Sequence, residues 1–180
     1  MVQYREKEAL TRRMVEEAAE LRALCKAAKV SFIVNDRVDV ALAVDADGVH
    51  VGQEDMPASV ARRLIGPGKI LGVSVGSVEE ALRAAADGAD YLGASPIFAT
   101  PTKPDAPEPI GIDGLRALAA SVAVPVVAIG GINAANAADM LRAGARGIAV
   151  VSAIVAADDV EASTRLLRAT LEGAERSLPK

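Results

Sequence analysis

Short runs of continuous apolar, largely β-branched residues alternate along this chain with longer stretches whose apolar positions recur at helical spacing. Strands are predicted at residues 2–5, 30–34, 48–51, 70–73, 90–93, 124–129 and 147–151. The first helical stretch, residues 8–28, carries its apolar stripe on Leu10, Met14, Ala18, Leu21, Cys25 and Ala28. Further helices are predicted at 37–44, 57–65, 77–87, 111–121 and 133–143, and a last one from Asp158. There, Asp158 and Glu161 stand at capping-box spacing. The strand interiors are almost purely apolar, which indicates burial on both faces, as in a parallel sheet. One junction recurs: a helix ends at a glycine and a strand follows within a few residues, as in Asp87-Gly-Ala-Asp-Tyr-Leu and Ala143-Gly-Ala-Arg-Gly-Ile.

This regular alternation has no glycine-rich dinucleotide fingerprint. It therefore favours a TIM-type (β/α) barrel over a doubly wound sheet, as one α/β domain over residues 1–180. A closed barrel of this kind has eight strands, and seven of the eight are visible here. Nothing after residue 158 supplies another, so the first strand is expected to be missing at the N-terminus. Either Met1 is then not the natural start, or the chain is naturally short.

Composition narrows the function. Half the residues are apolar, yet no run approaches the ~18 residues of a membrane span, and the N-terminus does not read as a signal peptide. A cytoplasmic protein is expected. The net charge of −4 and the scarcity of aromatic residues argue against nucleic acid as a partner. Cys25, the single cysteine, excludes an internal disulfide and reads as a buried, inert thiol. The one histidine, His50, rules out a histidine-based metal cluster and leaves little basis for a Ser-His-Asp triad. It reads as a packing residue of the barrel. A homo-oligomer stays open.

In a (β/α) barrel, catalytic groups gather at the C-terminal ends of strands. The first strand end offers Gln3, Arg5 and Lys7, which share one side if the extended conformation persists. The next ends give Asn35 and Asp36, then Gln53 and Asp55, then Ser74. Asp36 and Asp55 suit one Mg²⁺, which takes one or two carboxylates and completes its shell with water and phosphate oxygens. Each acid also precedes a short helix and suits an N-cap. Arg5, Lys7 and Lys103 would add positive charge around the same phosphates, or lie in solvent.

The stretch from Gly93 to Asp105 carries Thr100, Thr102 and Lys103 among four prolines between Pro96 and Pro107. Its hydroxyls and cation suit a phosphoryl group; a solvated linker is the other reading. Gly130-Gly131 and Ser152-Ala153 follow the last two strands, where barrels bind phosphate through backbone N–H groups. Tight turn geometry would explain the glycines equally. Two phosphate sites imply two phosphorylated substrates or one bisphosphate.

Taken together, several segments resemble the thiamine phosphate synthase family. They are Val2-Gln-Tyr-Arg-Glu-Lys, Phe32-Ile-Val-Asn-Asp, Asp47-Gly-Val-His-Val-Gly-Gln-Glu-Asp, Ile70-Leu-Gly-Val-Ser and Gly88-Ala-Asp-Tyr-Leu-Gly. Pro96-Ile-Phe-Ala-Thr-Pro-Thr-Lys-Pro-Asp, Val126-Val-Ala-Ile-Gly-Gly-Ile-Asn and Val151-Ser-Ala-Ile continue the match. Ser95 stands where many members carry glycine, and the family's first strand, with an aspartate at its end, has no counterpart. The resemblance implies condensation of 4-amino-2-methyl-5-hydroxymethylpyrimidine diphosphate with hydroxyethylthiazole phosphate, giving thiamine phosphate and pyrophosphate. It places Mg²⁺ on Asp36 and Asp55, and the diphosphate on Arg5, Lys7, Asn35, Ser74 and Lys103. Of these, Arg5, Lys7, Ser74 and Lys103 are the catalytic groups, and Gln3 lies near the pyrimidine. The thiazole phosphate falls to Thr100, Thr102, Gly131, Ser152 and Ala153, with the proline-rich loop as a lid. Two alternatives remain: a thiazole tautomerase-like isomerase, which would not need Asp36, Asp55 or Lys103, and a non-catalytic phosphate-ligand-binding barrel.

Overall fold

The computed structural model describes residues 1–100 and 107–177. The chain divides into two compact units, Met1–Ser74 with Ala84–Tyr91, and Val75–Arg83 with Leu92–Lys180.

The first unit opens on a strand, β1 (Val2–Tyr4), followed by α1 (Thr11–Ala27), β2 (Phe32–Asn35), α2 (Val38–Ala43), β3 (Gly48–Val51), α3 (Ala58–Ile65) and all but the last residue of β4 (Ile70–Val75). Each strand pairs in parallel with the next, in registers such as Gln3 with Ile33, Asn35 with His50, and His50 with Gly72. Phe32, Ile33, Val34, Val49 and Leu71 are fully buried, as a parallel sheet covered on both faces requires. Asp47 fixes the entry to β2: its carboxylate accepts the Phe32 N–H at 2.8 Å.

Arg62 on α3 is a staple that sequence periodicity did not reveal. Its guanidinium donates to the carbonyls of Gly66 (2.8 Å), Lys69 (2.7 Å) and Gly88 (2.9 Å), and pairs with Asp90. Asp90 in turn accepts the Leu71 N–H at 2.8 Å. Arg62→Met would leave these carbonyls without their donor, and is expected to cost about 2–4 kcal/mol in thermal or urea unfolding.

The second unit carries most of α4 (Val78–Ala86) and β5 (Tyr91–Ala94), then α5 (Gly111–Ser121), β6 (Val126–Ile129), α6 (Ala137–Arg142), β7 (Gly147–Ala149), α7 (Ser152–Val155) and α8 (Val160–Ser177). Its strands β5, β6 and β7 pair in parallel in that order. Leu92, Ala94, Val126 and Ala128 are buried, as are Leu115, Leu118 and Met140.

The expected barrel lacking its first strand is corrected here. The N-terminal residues themselves form a strand, β1, in register with β2, and Val2 N–H donates to Ser31 O at 2.9 Å. Setting a strand count against a closed barrel's eight located a gap at the front that local pairing does not show. Smaller differences have local causes. The α1 helix starts at Thr11 because Glu6 turns the chain first, accepting the N–H groups of Glu8 and Ala9 at 2.7 and 3.1 Å. The expected Asp158–Glu161 capping box gives way to Asp159, which accepts the Ala162 N–H at 2.8 Å. The short α7 was not predicted. Cys25 is buried, as expected.

Candidate active site

In the first unit the strand ends bring a polar cluster together. β2 ends on Asn35, and Asp36 follows with φ +61, a left-handed turn that aspartate tolerates better than most residues. Its N–H donates to His50 O at 2.8 Å, and Asn35 Nδ2 donates to its Oδ1 at 2.6 Å. Asp55 lies in the turn after β3, its Oδ2 accepting the Gly52 N–H at 2.7 Å. The Asp36 and Asp55 carboxyls are hydrogen-bonded to each other. Burial and that neighbour push Asp36 up to about 6, while Lys7 and Arg5 pull it back. Both cations therefore act on Asp36. The capping alternative finds no support, since neither α2 nor α3 has a side-chain cap.

The expected side-by-side row of Gln3, Arg5 and Lys7 is interrupted. Extended backbone ends at Tyr4, and Glu6 folds the next residues into a turn. Gln3 instead meets the Tyr91 hydroxyl. Ser74, near the end of β4, bonds His50 Nε2 at 2.9 Å, and its carbonyl accepts from Gln53 Nε2 at 2.7 Å.

The second unit carries the other expected group. Gly130 and Gly131 follow β6 with φ +100 and +64. A Cβ on Gly131 would stand 2.7 Å from Phe98 Cβ and 2.9 Å from Ala99 O, so glycine is required by close approach as well as by φ. Asn136 closes this loop, its Nδ2 donating to Gly131 O at 3.0 Å. Thr100 is half-buried. Ser152 and Ala153 form the start of α7. Thr102 and Lys103 lie outside the described residues, as does the 101–105 part of the proposed lid.

Glu6, Asn136, Tyr91 and His50 were missed as parts of the site. The signal for the last two was Gly72, a glycine inside an otherwise apolar strand, which marks a close approach.

Parallel β/α units with acids, cations and glycine turns at their strand ends define a class of proteins that handle phosphorylated small molecules. Within that class the chain belongs to the thiamine monophosphate synthase family, whose sequence model matches residues 1–154. It is 70% identical over 169 residues to the thiamine-phosphate synthase of Chloroflexus aurantiacus, covering 94% of this chain and 78% of that protein. The thiamine-phosphate synthase of Moorella thermoacetica is 57% identical over 93% of this chain and 80% of its own length. The solved thiamine phosphate pyrophosphorylase from Pyrococcus furiosus superposes with a TM-score of 0.89 at 52% identity, over 96% of this chain and 82% of that one. A more distant likeness, to 3-hexulose-6-phosphate synthase (TM-score 0.67, 22% identity, 87% of this chain and 81% of that one), concerns the fold alone. Among the described residues no helix is long and apolar enough to cross a membrane.

Proposed function

We propose that the chain condenses 4-amino-2-methyl-5-hydroxymethylpyrimidine diphosphate with hydroxyethylthiazole phosphate, forming thiamine phosphate and pyrophosphate. The observation that carries this reading is the Asp36–Asp55 pair with Arg5 and Lys7 acting on Asp36, in a chain so similar to thiamine-phosphate synthases. Two carboxyls close enough to share a proton form an all-oxygen donor set, which fits a hard divalent cation in the proton's place. Among the described residues no third His, Cys, Asp or Glu joins them. Two carboxylates are what Mg²⁺ asks of a protein when substrate oxygens and water supply the rest. Bound there, Mg²⁺ would neutralise charge on the departing diphosphate.

The protein's own groups do the remaining work. The C–O bond at the pyrimidine methylene breaks, and its electron pair leaves with the diphosphate. Arg5, Lys7, Asn35 and Ser74 stabilise that growing charge with fixed donors. The cation left behind is stabilised by the pyrimidine's own amino group, so neither a protein nucleophile nor a general base is needed. The thiazole nitrogen then forms the new C–N bond, and Gly131, Thr100, Ser152 and Ala153 hold the thiazole phosphate so that attack is effectively unimolecular.

The test is pyrophosphate release with Mg²⁺, omitting each substrate in turn. Release that requires both supports the reading, and release with the pyrimidine diphosphate alone, or none at all, overturns it. Gly131→Ala should push the 98–99 backbone away and raise the KM for the thiazole phosphate about tenfold, roughly 1.4 kcal/mol of binding. Its KM for the pyrimidine diphosphate should stay put; an equal rise in both would sink the assignment.

A further inference from the structure

His50 is the one buried polar side chain among the described residues, 3% exposed, and both ring nitrogens are engaged. Nδ1 lies 2.8 Å from the Tyr91 hydroxyl and Nε2 lies 2.9 Å from Ser74 Oγ. The two rings sit 5.4 Å apart, tilted by 42°. Opposite His50 in the register stands Gly72, and a Cβ there would fall 2.2 Å from Tyr91 Cζ and 2.4 Å from His50 Nδ1. The strand is thus emptied at the one place where a side chain would split the pair. Such clearance is more than packing of an isolated histidine requires.

Gln3, on β1, completes a row of four: Gln3, Tyr91, His50, Ser74. The direction of the row follows from a count of protons. An imidazole buried between two hydroxyls, each of which can give or take one hydrogen bond, is accommodated in its neutral form, with one N–H and one acceptor nitrogen. A phenol donates better than it accepts, and an imidazole nitrogen is a much stronger acceptor than a phenol oxygen. Tyr91 therefore donates to Nδ1. Gln3 meets the same hydroxyl, and its amide N–H can donate to the phenol oxygen while the O–H is given to Nδ1. Nε2 then carries the ring proton and donates to Ser74 Oγ. With its acceptor side taken, the Ser74 hydroxyl hydrogen is left for an outside oxygen.

We propose that Gln3, Tyr91 and His50 form a directed hydrogen-bond relay that fixes the Nε2–H tautomer of His50 and turns Ser74 into a donor toward an anionic oxygen. This rests on the proposed function only in naming that oxygen as one of the leaving diphosphate. The reverse direction would consume the serine proton and present a lone pair to the anion, which repels it. Tyr91 and His50 are positioning residues; Ser74 makes the contact.

Because the chain has one histidine, its ring nitrogens can be assigned by ¹⁵N NMR without ambiguity. The resting protein at neutral pH should show a protonated Nε2 and a bare Nδ1. A protonated Nδ1 overturns the relay whatever the enzyme does. Tyr91→Phe should keep the fold but lower kcat about 10–100-fold, with a small change in KM, since the donor matters most as charge develops. The same change in a Ser74→Ala background should have almost no further effect, because the relay acts through that hydroxyl. Additive losses would overturn it. His50→Gln, whose carboxamide offers an acceptor and a donor in the same order, should retain more activity than His50→Leu; equal losses count against the relay. A protonated Nε2 in a protein that releases no pyrophosphate would leave the relay standing and remove the transferase reading instead.

Discussion

Asp55→Ala is expected to reduce Mg²⁺-dependent pyrophosphate release by a factor of about 10²–10³ or more, the scale of losing a preorganised electrostatic group. The loss should fall on kcat at saturating substrate, and raised Mg²⁺ should recover only part of it. Folding should suffer little, since the bond the side chain accepts from Gly52 N–H is worth about 1 kcal/mol. Asp36→Asn should be equally inactive, yet behave differently in stability. The native environment lifts the Asp36 carboxyl from its ordinary 3.8 to about 6, so the folded state prefers the protonated form. Its contribution is therefore full below 3.8 and is lost as pH rises through about 6. Without metal, the melting temperature of the parent should fall relative to Asp36→Asn across that window, and Mg²⁺ should close the gap. Melts of both proteins against pH, with and without Mg²⁺, decide it. A gap that ignores pH would mean the two carboxyls do not share a proton.

The two predicted effects come from the same fact, which was only half legible in the sequence. Strand ends could be located because continuous apolar runs stop at polar residues, and Asn35-Asp36 and Gln53-Glu54-Asp55 are such stops. Nothing in a linear string shows that the two stops meet, or distinguishes a ligand from a helix cap. The helix starts bear on that distinction, and neither α2 nor α3 has a side-chain cap. Side chains acting through other side chains were invisible for the same reason. Glu6 turns the chain between Arg5 and Lys7, Asn136 holds the Gly131 carbonyl, and Tyr91 reads as one more apolar strand residue until its hydroxyl is placed. The missing-strand inference failed differently. It compared a count with an ideal closed form, whereas each strand is set by its own pairing partner, and β1 has β2.

Glycine, by contrast, announced itself in the sequence without saying why. Gly48, at the start of β3, would place a Cβ 2.1 Å from Ile70 O and 2.8 Å from Ile70 C, both backbone atoms of the paired strand. No rotamer change relieves a clash with backbone; β3 and β4 must part, and the register from Gly48–Ile70 to Val51–Val73 is at stake. Gly48→Ala is therefore expected to cost more than about 3 kcal/mol, the upper end of overpacking penalties, in spite of adding a single methyl group. Gly68→Ala is the control: nothing lies within 4 Å of its Cβ position, and it should change stability by no more than about 0.5 kcal/mol. Urea unfolding of both variants separates a steric requirement from a general cost of losing glycine. Because β3 leads into the turn that holds Asp55, the Gly48 variant should also bind Mg²⁺ more weakly whenever it is still folded. A folded, fully metal-competent Gly48→Ala protein would show that the close approach of these two strands is not what fixes the carboxylate pair.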